Sequence, residues 1–512
     1  MSIFGLTAWK SLLTLLVVFA FSACGGSGSG ANGANGTNGT NGANGTNSLL
    51  LLTTLAPGHA TCINGGTQVQ MGLDANDNGI LDASEINAAQ TQYICNAAAG
   101  PGSLLAVVNG IGVNKTLTLS INGGAPINIV ANGFYSVASG LPAGSTYSVV
   151  INDQPLRQTC TLSGGSGAVV AGSVATVILS CADNPIFAYV ADSGDNSISI
   201  YSFSSTTGSL TKVGTSTSAG LTPVDVVVDP SGKYVYVVNS GSNNVASFSI
   251  NLATGSLTEV GSPVTASGFP NSLAVDPTGK YAYLANELNS GVLTYSINPS
   301  SGALMLGTIV ASGRSPASVV VDPSGRYVYV ANRGVHSIST YSIDLVTGAL
   351  TEIGSGVPTG QSPISLAFHP SGNFIYVANA TSNDLSAYSV NLTTGALTSL
   401  GTVAAGIQPV SVAIDPSGRF AYVANFNSNN ISAYSINAAT GALTSLGTPV
   451  ASGANPIKVV VDPSGKSVHV TNQISKNISA YSIHPSSGAL LPLGTAPATG
   501  VSPTSMAFTP QP

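Results

Sequence analysis

The stretch "VDPSGRYVYVAN", Val321 to Asn332, joins the pattern of a tight turn to that of a β-strand. In "DPSGR" a proline fixes φ and a glycine accepts positive φ, whereas "YVYVAN" is rich in the β-branched and aromatic residues typical of strands. The turn position recurs every 46 or 47 residues, at Asp229, Asp276, Asp322, His369, Asp415, Asp462 and, in an eroded copy, Thr509. A period this regular indicates a repeat architecture.

Each repeat predicts four short strands. Around the quoted copy these are "ASVVVD" (strand A), "YVYVAN" (B), "ISTYSID" (C) and "LTEIG" (D), which is the content of one propeller blade. Seven C strands begin at Tyr201, Phe248, Tyr295, Tyr341, Tyr388, Tyr434 and Tyr481. The region opens on a B strand at Ile186 and closes on an A strand, "SPTSMAFT", so the last strand can complete the first blade and remove exposed edges. The sequence therefore predicts an all-β fold with a seven-bladed propeller over residues 186–510.

The ends of the B strands carry a resemblance. "YVVN", "YLAN", "YVAN" and "HVTN", ending at Asn239, Asn286, Asn332 and Asn472, resemble the YVTN-type propeller repeat of microbial surface proteins. They are similar also to the wider lactonase propeller family, which includes 6-phosphogluconolactonase-like enzymes. The resemblance implies the fold, but that superfamily holds both enzymes and non-enzymatic binding scaffolds. Its enzymes place a histidine at the head of an A strand, where this chain has proline and small residues ("SPISL", "QPVSV"), so no catalytic residue is carried over by motif.

Composition and the N-terminus indicate an exported protein. Of the 512 residues only 6% are charged, and the net charge of −6 excludes a basic surface for nucleic acid. Lys10 precedes a short apolar run, and "FSAC" then resembles a bacterial lipobox, which implies a signal peptide over 1–23 and acylation of Cys24. A plain secretory signal is the alternative. Gly25 after the cysteine favours, by analogy, the outer membrane of a diderm source. Residues 24–47 contain six Gly-x-Asn triplets, expected as a flexible stalk rather than a collagen-like helix because they contain no proline.

A calcium-loop pattern lies in the next predicted module, residues 48–96. "DANDNGILDASE", Asp74 to Glu85, resembles the EF-hand loop, although its flanks predict turn and strand rather than helices. The resemblance implies a structural Ca²⁺ held by Asp74, Asn76, Asn78, the Ile80 carbonyl, Asp82 through water, and Glu85. The alternative is an Asx-rich turn without metal.

Four cysteines remain beyond Cys24, and export allows them to form disulfides. Of the three possible pairings, Cys62–Cys95 and Cys160–Cys181 are the economical choice because each pair lies within one segment. Segments such as "TLTLSING" and "TYSVVIN" alternate apolar and polar residues, which predicts antiparallel strands in an immunoglobulin-like β-sandwich over residues 100–182.

Departures from the repeat are the candidate site. Glu287, Arg314, Arg333 and His336 fall in the B–C and D–A loops of blades 3 and 4, where they could bind and polarise an anionic ligand or lactone. The alternative is a surface salt-bridge cluster. Two residues after each recurring proline, a ring of serines is interrupted by Asp225 and Lys458, which could contact a ligand if this ring faces the channel mouth. The alternative is that they only hold water in the channel.

These features favour a lipid-anchored surface or periplasmic binding or scaffold protein. Its expected partners are the membrane, through the N-terminal lipid, and a small ligand, surface protein or glycan; nucleic acid is not expected. The alternative is a 6-phosphogluconolactonase-like hydrolase that uses Glu287, Arg314, Arg333 and His336 at the loop face. A third possibility is calcium-gated adhesion.

Overall fold

The computed structural model describes residues 48–73, 81–86, 88, 91–95, 101–266 and 268–511, and their regular structure is β throughout. Among these residues no helix is long and apolar enough to cross a membrane. Cys24 and four of the predicted calcium ligands, Asp74, Asn76, Asn78 and Ile80, lie outside the described residues.

The first unit is a three-stranded antiparallel sheet. It contains β1 (Ser48–Pro57), β2 (Asn64–Leu73) and β3 (Gln92–Cys95), in that order across the sheet. The predicted disulfide Cys62–Cys95 joins the segment just before β2 to the last residue of β3. Strand β2 ends immediately before the calcium-loop pattern, so the loop follows a strand, as the sequence predicts.

The second unit is a β-sandwich of two four-stranded sheets. Its strands are β4 (Gly102–Asn109), β5 (Leu117–Ile121), β6 (Ile127–Ile129), β7 (Gly133–Leu141), β8 (Thr146–Asp153), β9 (Gln158–Ser163), β10 (Ser166–Ala168) and β11 (Val174–Asp183). The sheets, ordered β10-β8-β5-β6 and β7-β4-β11-β9, share one core that includes Leu104, Leu119 and Val177. Cys160 and Cys181 pair across β9 and β11 and form the second disulfide. Strand β4 runs parallel to β11, which differs from the antiparallel expectation. Alternation of apolar residues shows which side chains face inward and is the same for either strand direction.

The third unit is the propeller, and its seven sheets are the predicted blades. Blade 1 contains β12 (Ile186–Asp192), β13 (Ser197–Phe203), β14 (Leu210–Lys212) and β15 (Thr217–Ser218); blade 2 contains β16 (Pro223–Val228), β17 (Tyr234–Asn239), β18 (Asn244–Ile250), β19 (Leu257–Glu259) and β20 (Val264–Thr265). Blade 3 contains β21 (Pro270–Val275), β22 (Tyr281–Asn286), β23 (Gly291–Ile297) and β24 (Leu304–Ala311); blade 4 contains β25 (Pro316–Val321), β26 (Tyr327–Asn332), β27 (Ser337–Ile343), β28 (Leu350–Glu352) and β29 (Val357–Pro358).

The remaining blades repeat this plan. Blade 5 contains β30 (Pro363–Phe368), β31 (Phe374–Asn379), β32 (Asp384–Val390) and β33 (Leu397–Ala404); blade 6 contains β34 (Pro409–Ile414), β35 (Phe420–Asn425), β36 (Asn430–Ile436), β37 (Leu443–Ser445) and β38 (Val450–Ala451). Blade 7 contains β39 (Pro456–Val461), β40 (Ser467–Asn472), β41 (Asn477–Ile483) and β42 (Leu490–Pro492). The last strand, β43 (Pro503–Phe508), pairs with β12 and is strand A of blade 1, so the predicted closure of the ring is confirmed.

The aspartate of the "DPSGR" sequence stabilises the turn between strands A and B. One carboxylate oxygen of Asp322 accepts the backbone N–H groups of Arg326 and Tyr327, both at 2.7 Å, and thereby caps the turn that leads into strand B. Gly325 has a φ of 71°, which an L-residue rarely adopts. Every residue of the following strand is buried because strand B lies between strands A and C and between two neighbouring blades.

Adjacent blades are joined by packing and by tyrosine hydroxyls. Each inter-blade core combines side chains from two blades, as where Tyr236 of blade 2 packs with Leu284 of blade 3. The hydroxyl of Tyr236 also donates to the carbonyl of Gly302, in the C–D turn of the next blade, at 3.0 Å. The same bond is made by Tyr189, Tyr283, Tyr329, Tyr376 and Tyr422. In blade 7 the position is His469, which is fully buried, and burial lowers its pKa to about 4, so it is neutral at pH 7.

Candidate functional site

The loop face carries a cavity of about 360 Å³ at the mouth of the central channel. One residue from each blade lines it: Val224, Asn271, Ala317, Ile364, Val410, Ile457 and Thr504. Its rim adds Arg333, Gln408, Phe426 and Gln473 from the B–C and D–A loops. We call this space the channel-mouth cavity. Its size is within the range of small-molecule sites.

A β-bulge in every A strand directs the lining residues into the cavity. In blade 4, Pro316 pairs with Asn332 and Ser318 pairs with Ala331, so Ala317 between them has no partner. The same register shift follows the recurring proline in the other six blades. Bulges re-aim side chains, and here the unpaired residue of each blade faces the channel mouth.

The ring predicted to face the channel lies one residue farther along and does not line the cavity. Asp225 is buried; one carboxylate oxygen accepts the backbone N–H of Leu273 at 3.0 Å and the other accepts the hydroxyl of Ser505 at 2.7 Å. Asp225 thus connects blade 2 to blades 3 and 1. In the equivalent place the Ser318 hydroxyl accepts the N–H of Leu366 from the next blade. Lys458 is half-buried and does not line the cavity.

Two of the four predicted loop residues meet at the cavity. Arg333 of blade 4 forms an ion pair with Glu287 of blade 3, and the side chains are 42% and 26% exposed. The amide of Asn271 donates to the second carboxylate oxygen of Glu287 at 3.1 Å and to the carbonyl of Pro316 at 3.2 Å. The result is a guanidinium–carboxylate–amide cluster with Arg333 and Asn271 on the cavity wall. Asn271 was missed from the sequence, although it is the only amide among the seven bulge residues.

His336 is held by the turn architecture. It has a φ of 54°, and its Nδ1 accepts the backbone N–H of Ser362 at 3.0 Å. In four other blades an asparagine with positive φ makes the same bond through its side-chain oxygen: Asn196, Asn243, Asn383 and Asn429. While Nδ1 accepts this bond, a neutral ring carries its proton on Nε2 and can donate but not act as a base. The ring is exposed and does not line the cavity.

Arg314 also lies apart from the cluster. Its backbone carbonyl accepts the N–H of Gly334 at 2.9 Å, which fixes the loop around Arg333. The side chain is exposed, and within the described ranges its guanidinium has no ion-pair partner. The structure therefore brings Glu287 and Arg333 together and leaves Arg314 and His336 outside their cluster.

A buried carboxyl in blade 1 is a further departure from the repeat. Strand B ends in asparagine in six blades but in Asp192 in blade 1. Asp192 is fully buried; one oxygen accepts the Ser199 hydroxyl at 2.6 Å, and the other has no hydrogen-bond partner. Burial raises the pKa of Asp192 to about 6. The sequence signal was "YVAD" where other copies have "YVAN" or a close variant.

The described end of the calcium-loop pattern contains two of the predicted ligands. A carboxylate oxygen of Glu85 accepts the backbone N–H of Asp82 at 3.0 Å, and the Glu85 N–H donates to the Asp82 carbonyl at 2.9 Å. Both side chains are half-buried oxygen donors of the kind that calcium prefers. In the part of the chain that the structure describes, no group of three or more His, Cys, Asp or Glu side chains could hold a metal ion.

Comparisons with known proteins agree with this architecture. A family model described as a seven-bladed β-propeller lactonase matches residues 148–269, 267–414 and 403–508. A model for a domain of unknown function (DUF7151) matches residues 47–95. No curated protein sequence matches the chain.

Solved structures of similar fold cover the propeller. A proposed 6-phosphogluconolactonase from Bacteroides uniformis is 20% identical with a TM-score of 0.58, covering 64% of this chain and 100% of its own. The periplasmic gluconolactonase of Pseudomonas aeruginosa is 21% identical with a TM-score of 0.55, covering 64% and 99%. A protein from Lactobacillus plantarum is 23% identical with a TM-score of 0.56 and the same coverage of 64% and 99%. At these identities the likeness shows the fold.

Proposed function

This chain belongs to the family of seven-bladed β-propeller lactonases, and we propose from that premise that its channel-mouth cavity binds and hydrolyses a lactone. The observation that carries the proposal is the Arg333–Glu287 pair, which places a cationic donor on the cavity wall beside a carboxylate. Glu287 and Arg333 occupy the same position, directly after strand B, in blades 3 and 4, and the other five blades have an uncharged residue there, so the repeat does not require the pair.

The cluster supplies the two groups that ester hydrolysis needs. The guanidinium of Arg333 donates to the lactone carbonyl oxygen and stabilises the negative charge that develops there. Glu287 accepts a proton from a water molecule as the water oxygen bonds to the carbonyl carbon. The ring C–O bond then breaks, the leaving alkoxide receives the proton from Glu287, and the product is a hydroxy acid. Asn271 holds the Glu287 carboxylate in place through its 3.1 Å hydrogen bond.

Hydrolysis is tested on the full chain with D-glucono-δ-lactone and γ-butyrolactone, by following acid release at constant pH. We expect Arg333→Gln and Glu287→Gln each to lower kcat/KM by roughly 10²–10³-fold, the usual effect of removing an oxyanion donor or a general base. Arg314→Gln is the matched control, because it removes an exposed arginine from the neighbouring loop without touching the cluster. A wild-type rate equal to that of buffer, or equal losses in all three variants, contradicts the proposal.

A binding function without hydrolysis is the second candidate. It is favoured by the cavity lining, which within the described residues includes no histidine to serve as a base. It is also the function expected of a propeller displayed by an anchored protein. Titration calorimetry with gluconate and with the intact lactone separates the two candidates: saturable binding with no acid release supports a binding protein, and turnover supports the hydrolase.

We propose that the protein is exported and anchored through a lipid on Cys24, at the outer membrane or cell surface. The lipobox-like sequence supports this, as do two disulfides, which form in oxidising compartments. Mass spectrometry of the N-terminal peptide from membranes tests it. A diacylglyceryl mass on Cys24, absent from Cys24→Ser, is expected; release of an unmodified N-terminus by signal cleavage elsewhere contradicts it.

We propose that the loop from Asp74 to Glu85 binds Ca²⁺ as a structural clip. The spacing of oxygen-bearing residues supports it, and the loop is enclosed by the Cys62–Cys95 disulfide. Terbium luminescence and isothermal titration with Ca²⁺ test it on the full chain. We expect one saturable site that is lost in Glu85→Gln and retained in Glu259→Gln, an exposed glutamate of the propeller. Binding that persists in Glu85→Gln contradicts the assignment.

A further inference from the structure

We infer that the ligand of the channel-mouth cavity is an uncharged lactone that carries an aliphatic substituent, rather than a phosphorylated or carboxylated sugar lactone. The inference rests on the proposed function for the reaction at the lactone ring. It concerns the chemistry of the remainder of the substrate, and it follows from how polar and apolar groups are distributed around the seven-membered ring of blades.

Three polar side chains of the cavity, Arg333, Asn271 and Gln408, already have partners. Among the described residues that line the cavity Arg333 is the one cation, and it is paired with Glu287, so the lining offers no unpaired cation to a phosphate or a second carboxylate. The side-chain amide of Asn271 donates both of its hydrogen bonds within the protein, to Glu287 and to the Pro316 carbonyl. The side-chain oxygen of Gln408 accepts from Asn427 at 2.6 Å. An anion placed here would lose its hydration without gaining a free positive charge, which is unfavourable.

The arc of the cavity from blade 5 to blade 7 is mainly aliphatic and aromatic, with the side chains of Gln408 and Gln473 at its rim. Ile364 of blade 5, Val410 and Phe426 of blade 6, and Ile457 of blade 7 line it, and all four are half-buried. Thr504 of blade 1 adds little polarity, because its hydroxyl donates to the carbonyls of Ala191 and Pro223 at 3.1 and 2.9 Å. Hydrophobic side chains left partly in contact with water around a concave mouth indicate an apolar ligand surface.

The two halves face each other across the ring. In a closed ring of seven blades, blades 3 and 4 stand opposite blades 6, 7 and 1. A lactone carbonyl held at Arg333 therefore directs a substituent on the far side of its ring towards Val410, Phe426 and Ile457. The cavity of about 360 Å³ equals roughly twelve water volumes, which leaves room for a lactone ring and several chain carbons.

The test measures binding and hydrolysis separately for a homologous series on the full chain. The probes are γ-lactones with no side chain and with two-, four- and six-carbon chains, compared with D-glucono-δ-lactone and its 6-phosphate. We expect affinity to rise by about fourfold for each methylene until the arc is filled, which is the usual effect of burying one such group. We expect the 6-phosphate to bind more weakly than the uncharged sugar lactone.

Two variants test where the alkyl substituent of the lactone binds. Val410→Ser and Ile457→Ser should flatten the dependence of affinity on chain length, whereas Val346→Ser, at an exposed valine in the C–D turn of blade 4, should leave it unchanged. Circular dichroism melting curves check that each variant folds. Preferential binding of the 6-phosphate, or affinity that is independent of chain length, overturns the inference while leaving lactone hydrolysis intact. Chain-dependent binding without acid release supports the ligand class and overturns the proposed hydrolysis.

Discussion

At the residue scale, Asp192 shows what one atom changes in a repeat. Asparagine at this position donates from its amide to a serine of strand C, as Asn332 does to Ser339 at 2.9 Å. Aspartate reverses that bond, because the Ser199 hydroxyl must donate to the carboxylate. The charge is buried, and one oxygen has no hydrogen-bond partner, so the ionised form is disfavoured.

We predict that Asp192→Asn stabilises the protein at neutral pH. The pKa of Asp192 is raised from 3.8 to about 6, so the folded state binds the proton more tightly than the unfolded state does. The stabilisation that the folded state gains from binding this proton is therefore complete below pH 3.8 and is lost as the pH rises through about 6. At pH 7.5 the substitution should raise the free energy of unfolding by about 2–3 kcal/mol, and at pH 4 by much less. Urea denaturation at both values measures the difference.

Asp195→Asn is the control for this prediction. Asp195 lies in the same loop and is exposed, and its carboxylate accepts the Val501 N–H at 2.6 Å. Its replacement should not reproduce the gain at pH 7.5. An equal gain from both substitutions would show that the net charge of the loop, and not burial of Asp192, sets the pH dependence.

We predict that His336 serves the turn and not the reaction. Asparagine occupies this position in four other blades, so His336→Asn should keep both stability and kcat/KM within about twofold of the wild type. His336→Ala removes the acceptor for the Ser362 N–H and should lower the free energy of unfolding by about 1–2 kcal/mol. Thermal melting and lactone assays on both variants decide it. A large loss of turnover in a stably folded His336→Asn variant would contradict this prediction and indicate that His336 takes part in the reaction.

At the element scale, the strands and blades were predictable, and the bulges were not. Turn residues and strand residues act locally, so the recurrence of "VDPSGRYVYVAN" was sufficient to predict strands A to D, the number of blades and the closure of the ring. It did not predict the additional short strand that pairs with strand C in blades 1, 2, 4 and 6. A bulge depends on the register between two strands, which composition does not reveal. One unpaired residue, such as Val224, exchanges the faces of its neighbours, and Asp225 therefore lies between blades and not in the cavity.

The candidate site was likewise predictable in part: two of its residues could be found from the sequence, but their contacts could not. Glu287 and Arg333 departed from the repeat and were found from the sequence. Their ion pair joins two blades and requires the positions of two separate loops. His336 departed equally, but its Nδ1 replaces an asparagine oxygen, an equivalence that only the hydrogen bond to Ser362 reveals.

We predict that the tyrosine hydroxyls hold neighbouring blades together. Tyr376 is buried and donates to the carbonyl of Gly441 in the next blade at 2.9 Å. Tyr376→Phe leaves that buried acceptor without its donor and should lower the free energy of unfolding by about 1–2 kcal/mol. Tyr234→Phe is the matched control, since the hydrogen bonds that the structure gives Tyr234 are made by its backbone, including the N–H to Asp229, and do not involve the hydroxyl. Equal effects in chemical denaturation would contradict a role for the inter-blade bond.

At the scale of the whole molecule, the propeller depends on a strand from the far end of the chain. Strand β43 supplies the missing strand A of blade 1, and Met506 contributes to the core between blades 7 and 1. The β-sandwich unit also contacts the region where the ring closes. Arg157 donates to the carbonyls of Gln511 at 2.6 Å and Pro230 at 2.8 Å. It therefore contacts both the segment that follows β43 and the A–B turn of blade 2.

We predict that ring closure by β43 is required for a folded propeller, and that the Arg157 contact adds to it. Removing residues 501–512 exposes the edge of β12 and the core beside Met506, and should give aggregation or loss of a cooperative thermal transition. Removing only residues 511–512 deletes the Gln511 acceptor and should lower the free energy of unfolding by about 1–2 kcal/mol. Arg157→Ala should match this smaller loss or exceed it, because it also releases Pro230. Calorimetry of the three variants compares these effects, and a cooperative transition near the wild-type Tm after removal of 501–512 would show that the ring stays closed without β43.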